Sequence, residues 1–126
     1  MRIILTANGE RFGGALYEHP VADDFARLLP LELPFKDFNN VEKVAPLGHA
    51  LTLRGVPDAD EPVARELGYY APGGNLVLYY DSPGRWPGLV RLGYFTWDLR
   101  QLRAMPDGTI VRIEQDPSPV SPHATP

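Results

Sequence analysis

Apolar and polar positions alternate with a period of two over most of the chain, and the runs are short. Ile3–Ala7 reads as a strand, Asn8-Gly9 is a tight-turn signal, and Phe12–Tyr17 returns as the second arm of a hairpin. Gly9 can take the positive φ that a two-residue turn demands. The period then changes. Val21, Phe25, Leu28 and Leu29 fall at i, i+4, i+7 and i+8, one apolar face of a helix running from Pro20 to Pro30. Pro20 suits a first turn, Asp23 and Asp24 favour its positive end, and Pro30 stops it. Leu31, Leu33 and Phe35 resume alternation against Glu32, Pro34 and Lys36, a half-buried strand that the proline places at a sheet edge.

From Asn39 to Pro46 the pattern is weak, Leu51-Thr52-Leu53 reads as a short strand, and Gly55–Pro62 reads as a polar loop. The densest β signal follows. Leu67–Ala71 and Asn75–Tyr80 form a hairpin across Pro72-Gly73-Gly74, and a loop from Asp81 to Gly88 leads into a strand at Leu89–Phe95. Asp98–Met105 reads as a short helix with Leu99 and Leu102 inward, Pro106-Asp107-Gly108 as a turn, and Thr109–Glu114 as the last strand. The stretch 117–126 carries four prolines in ten residues and reads as a disordered tail, which leaves one domain over 1–116. Seven or eight short strands and one helix with both start and stop signals call for a closed barrel or a sandwich, since closure removes unpaired edges.

Composition supports a mainly β protein: 14 prolines and 12 glycines break 126 residues into pieces too short for long helices. Net charge is −4, and Lys36 and Lys43 are the only lysines, which argues against a nucleic-acid partner. Cysteine is absent, so disulfides, thiolate catalysis and thiolate-ligated zinc are excluded. No apolar run approaches a membrane span, and the first residues hold too few apolar side chains for a secretory leader. The expected location is the cytoplasm, with no membrane partner.

Three segments in order, Pro20–Pro30, Gly68–Leu76 and Pro87–Gly93, resemble the small prokaryotic cyclophilin-like domains sometimes described as atypical cyclophilins. The resemblance runs through roughly 1–116. It implies a closed cyclophilin-like β-barrel of about eight strands with one or two capping helices. The chain departs from the family pattern at two places, since that pattern usually carries a tryptophan where Gly73 stands and an acidic residue near Leu67. Ordinary cyclophilins are prolyl isomerases that set an arginine against a proline seated in an apolar pocket. A donor aimed at the proline nitrogen stabilises the twisted amide, whose rotation otherwise faces a barrier of about 20 kcal/mol. Their Phe-His-Arg and Gln-Gly-Gly-Asp segments are missing here: Phe35-Lys36-Asp37-Phe38 follows the helix, and no arginine appears until Arg54.

The candidate chemistry is aromatic. Tyr69, Tyr70, Tyr79, Tyr80, Trp86 and Tyr94 crowd into a quarter of the chain. They make either a groove for a proline or another apolar group, or barrel core and strand face. In each Tyr-Tyr pair the side chains point to opposite faces of the sheet, so at most one of each can line a given groove. Tyr70, Pro72, Tyr80 and Trp86 are the expected ligand-binding residues, with Arg54 as donor; Arg54, Arg85 and Arg91 each read either as such a donor or as a solvated loop charge. No catalytic residue is assigned.

Other chemistries find no support. His19, His49 and His123 lack metal-ligand spacing, and Asp58-x-Asp60-Glu61 lacks the rest of a calcium loop, so no metal is expected. No serine sits in a nucleophile elbow, and neither Gly-Gly pair opens a phosphate-binding helix, so no cofactor is expected. The first reading is a non-catalytic binding module for a peptide or small apolar ligand. The second is a weak or divergent peptidyl-prolyl isomerase using Arg54 or Arg85. A third is a self-associating module, a homo-oligomer paired through tyrosine-bearing strands.

Overall fold

A computed structural model describes residues 1–117; most of the Pro-rich stretch assigned above to the tail lies outside the described residues. Eight strands close an antiparallel barrel: β1 (Arg2–Ala7), β2 (Glu10–Leu16), β3 (Leu31–Phe38), β4 (Glu42–Pro46), β6 (Glu66–Tyr70), β7 (Asn75–Tyr79), β9 (Leu89–Phe95) and β10 (Thr109–Gln115). Their order round the barrel is β1-β10-β3-β4-β7-β6-β9-β2. Two further pieces, β5 (Ala59–Asp60) and β8 (Trp86–Pro87), pair into a separate two-stranded ribbon. Asn8 (φ 52°) and Gly9 (φ 80°) make the β1–β2 turn, both left-handed as a two-residue hairpin of this twist requires.

The helices α1 (Pro20–Ala26) and α2 (Leu99–Ala104) stop opposite ends of the barrel. α1 joins the end of β2 to the start of β3, and α2 joins the end of β9 to the start of β10; the antiparallel registers put those junctions at opposite mouths. Val21, Ala22 and Phe25 of α1 and Leu102 of α2 enter one core with Leu5, Phe35, Leu76, Leu78, Leu92 and Ile113. The imidazole of His19 caps α1, its Nδ1 accepting from the Ala22 N–H at 3.1 Å while Nε2 lies 2.8 Å from the Arg91 carbonyl, which fixes the proton on Nε2. Asp98 caps α2 through the N–H groups of Arg100 and Gln101.

Four local expectations change. The first helix ends at Ala26, and Leu28 and Leu29 continue as a tighter turn bonded to Phe25 and Ala26, still packed on the core. Asn39–Pro46 contains a full barrel strand, β4, whose alternation is masked because an inward position is Lys43. Lys43 is 2% exposed and satisfied by the Met105 carbonyl at 2.8 Å and by Asp37 at 3.5 Å. Leu51–Leu53 is not a strand; Leu51 is buried, but the backbone N–H of Leu51 and Thr52 go to the Tyr69 hydroxyl and the Asp24 carboxylate. Nor is β3 at an open edge. Pro34 is tolerated because β4 pairs only with Lys36–Phe38, leaving the first half of β3 bonded to β10 alone.

Candidate functional site

Alternation along β4, β7, β6 and β9 builds a second apolar layer on the outer face of the barrel. Leu76, Leu78 and Tyr69 go inward, while Val44, Val77, Tyr79 and Leu89 pack together outside, with Tyr70 against them. In β9 the register slips beside Leu67 and Gly68, so Leu92 has no partner across β6. That bulge lets Val90, Leu92 and Phe95 all reach the core and leaves Leu89 and Arg91 outside. Gly68 lies under Tyr79: a Cβ there would stand 2.7 Å from the Tyr79 ring. A bare backbone at this point is what lets the tyrosine lie down on β6.

Over this layer sits the ribbon of β5 and β8, in which Asp60 pairs with Trp86. Its connecting loop is pinned by Gly88 N–H to the Asp58 carbonyl at 2.9 Å, by Ser82 Oγ to the Pro62 carbonyl at 2.8 Å, and by the Trp86 indole N–H to the Pro83 carbonyl at 2.8 Å. A cleft opens on each side of the ribbon. One, of about 320 Å³, is walled by Phe38, Val41, Tyr70, Pro83, Trp86 and Leu89, with Asn39 and Glu42 at its polar end. Phe38 and Trp86 are 51% and 53% exposed, unusual for side chains of that size.

Glu42 is the one carboxylate lining this cleft. Burial raises its pKa from the usual carboxylate range to about 7, and repulsion from Asp37 adds to the shift. Among the described residues its carboxylate has no hydrogen-bond donor and no cation. The Tyr79 hydroxyl, behind the cleft wall, is also buried without a partner among them, and burial pushes its pKa up.

The other cleft, about 380 Å³, is lined by Tyr17, His19, Val56, Pro57, Val90 and the charged pair Asp60 and Arg91. Its centre is an ion pair. Arg91 Nε reaches both oxygens of Glu66 at 2.9 Å and Nη2 reaches Oε2 at 2.7 Å, while the Tyr17 hydroxyl donates to Oε2 at 2.7 Å and the Val63 N–H to Oε1 at 2.8 Å. Burial works to raise the Glu66 pKa, but the hydrogen bonds of Arg91, Tyr17 and Val63 outweigh it and hold the carboxyl below its ordinary range. Burial and the same carboxylate push the Tyr17 hydroxyl up to about 12.

Of the residues singled out in the sequence, Tyr70 and Trp86 converge on the apolar cleft. Tyr80 does not: just past the end of β7 it turns into the barrel core, its hydroxyl donating to Asp37 and its ring under the Arg103 guanidinium at 4.7 Å. Pro72 lines neither cleft; it packs so close to Gly88 (φ 81°) that a Cβ there would meet its ring at 2.6 Å. Arg54 is exposed in the loop after Leu51 and lines neither cleft, and Arg85 is exposed beside Trp86 without entering the wall. Arg91 is committed to Glu66. Phe38, Val41, Glu42 and Leu89 were not singled out. Glu66, the immediate neighbour of Leu67, was not singled out either. Asp60, read in a calcium-like run, lies 3.9 Å from Arg91, and no cluster of three metal-ligating side chains occurs among the described residues. Nor is any described helix long and apolar enough to cross a membrane.

The fold is similar to a solution structure of a hypothetical protein from Archaeoglobus fulgidus, with TM-score 0.67 over 92% of this chain and 95% of that one, at 17% identity. No curated protein matches the sequence. The model of the cyclophilin-like family matches residues 5–114, nearly the whole barrel, and the chain belongs to that family.

Proposed function

We propose that this barrel is a binding module and that the apolar cleft beside Trp86 receives its ligand, an apolar group of a peptide or small molecule. The observation that carries the reading is the convergence of Phe38, Tyr70 and Trp86 from three separate segments on one open cleft, two of them half exposed. Rings held rigid by a barrel lose little freedom on binding, and apolar area with a few polar groups is the usual make-up of a ligand site. The divergent-isomerase reading ranks second because no arginine or lysine is among the residues lining that cleft, and the arginine facing the neighbouring one is held by a buried carboxylate.

The test is a titration followed by amide and indole NMR signals, using proline-containing peptides and small aromatic compounds. Trp97, buried and stacked on Phe12 at 4.4 Å, is an internal control. The Trp86 indole and Tyr70 amide shift on binding while the Trp97 indole stays still. Trp86→Ala weakens binding at least tenfold, an ordinary loss for an aromatic anchor, without unfolding a barrel in which this side chain is 53% exposed. Trp86 and Tyr70 signals that remain unmoved across both ligand sets overturn the proposal. A protease-coupled assay addresses the second reading: no rate above the uncatalysed one at high protein concentration ends it.

A further inference from the structure

The apolar cleft also carries a feature that binding of a neutral group leaves unused. Its wall of Phe38, Tyr70 and Trp86 presents three aromatic rings, and Glu42 supplies a carboxylate at the polar end. Every other carboxylate packed against the strands here is answered. Glu66 is answered by Arg91, and Asp37 by Tyr80, the Asn40 N–H and Lys43. Glu42 is partly buried and has no such partner among the described residues. A half-buried carboxylate costs free energy unless a cation or donor meets it. Aromatic faces attract cations through their quadrupoles, and a ring of them beside a carboxylate is the arrangement that recognises ammonium groups. The volume, about 320 Å³, is at the small end of ligand sites and suits one compact molecule.

We infer that the cleft selects a small organic cation, an ammonium group on an apolar body, with Glu42 as its counter-ion and Phe38, Tyr70 and Trp86 as its aromatic wall. This rests on the binding reading above and sharpens it. Among the groups facing Glu42, Asp37 on β3 carries the negative charge that repels it, while the Tyr79 and Tyr80 hydroxyls, on and just past β7, stay protonated and neutral. A bound cation therefore offsets the burial, and the Asp37 repulsion beside it, that hold the Glu42 proton on. Affinity for a permanent cation rises as pH passes upward through about 7.

The test uses benzyltrimethylammonium, whose charge does not titrate, against benzyl alcohol and benzenesulfonate in phosphate buffer at pH 8, read from the Trp86 indole signal. The cation binds about tenfold more tightly than the alcohol, the sulfonate binds more weakly than either, and at pH 5.5 the preference for the cation shrinks towards parity. In Glu42→Gln the cation and the alcohol bind within about twofold of one another at both pH values. The variant's fold is checked by its unchanged Trp97 indole signal. If the alcohol binds as well as the cation, or if Glu42→Gln keeps the preference, the inference is overturned while the cleft stands as a binding site. If none of the three probes moves the Trp86 signal, the inference is overturned, and the binding reading falls with it when the proline-containing peptides leave that signal unmoved as well.

Discussion

Glu66→Gln removes one charge and almost no volume from the most densely bonded carboxylate in the barrel. Glu66 is 2% exposed and accepts from the Arg91 guanidinium, the Tyr17 hydroxyl and the Val63 N–H. A glutamine can keep its carbonyl oxygen towards Val63 and Arg91 Nε. The Tyr17 hydroxyl can turn to accept from the new amide, since hydroxyl protons rotate. The Arg91 Nη2 cannot, because it only donates, and it faces the amide nitrogen across the 2.7 Å now bridged by the ion pair. Breaking a fully buried pair by removing one partner costs about 3–5 kcal/mol. Here the Arg91 side chain is 39% exposed and can turn to water, which reduces the expected loss to about 2–3 kcal/mol. Urea unfolding followed by circular dichroism reads this as a lower midpoint at unchanged slope.

The pH dependence adds a second check on the same variant. The Glu66 pKa is lower folded than unfolded, so the stability it contributes is present above its ordinary value near 4.5 and disappears as pH falls through the folded value. The gap between the parent and Glu66→Gln is therefore full at pH 7 and closes in strong acid. A midpoint within about 0.5 kcal/mol of the parent at pH 7, or a gap that persists undiminished in acid, refutes the electrostatic account of this cluster.

Two further outcomes follow from the outer layer. Gly68→Ala puts a Cβ 2.7 Å from the Tyr79 ring and 3.2 Å from the Val90 carbonyl, so overpacking lowers stability by about 1–3 kcal/mol in the same urea assay; an unchanged midpoint contradicts the close approach. Glu42 runs opposite to Glu66. Its folded pKa of about 7 lies above the ordinary value of 4.5, so its contribution is fully present below that ordinary value and is lost as pH rises through 7. Glu42→Gln is accordingly about 1–2 kcal/mol more stable than the parent at pH 8, with parity at pH 4; equal stability at both pH values refutes the shift.

Much of the barrel is written in local signals. Asn8-Gly9 and Pro72-Gly73-Gly74 mark hairpins because those turns need particular backbone chemistry, and α1 declares itself because Val21 and Phe25 repeat at helical spacing beside a proline start. The strand β4 is hidden since a core position holds Lys43, which only tertiary partners could satisfy. Leu51 imitates a strand residue for the converse reason: a buried leucine needs a core to enter, not a strand to sit on.

The site divides the same way. Trp86 stands out because a large ring between turn signals has no strand to belong to. Phe38 could have been found by phase: Leu31, Leu33 and Phe35 set the inward parity of β3, and Phe38 breaks it, so its ring must face outward. Leu89 carries no such mark, since the bulge in β9 changes parity partway along the strand. Neither Glu42 nor Glu66 could be ranked from sequence, because what distinguishes them, one carboxylate answered by an arginine and the other unanswered, depends on strands brought together by barrel closure.

The most direct measurement is a set of intermolecular NOEs between a bound ligand and the protein. The account places ligand protons within NOE distance of Phe38, Tyr70 and Trp86 together, the three rings that line one cleft. NOEs confined to Tyr17, His19 and Arg91 across the ribbon, or spread over the surface without those three rings, would contradict it.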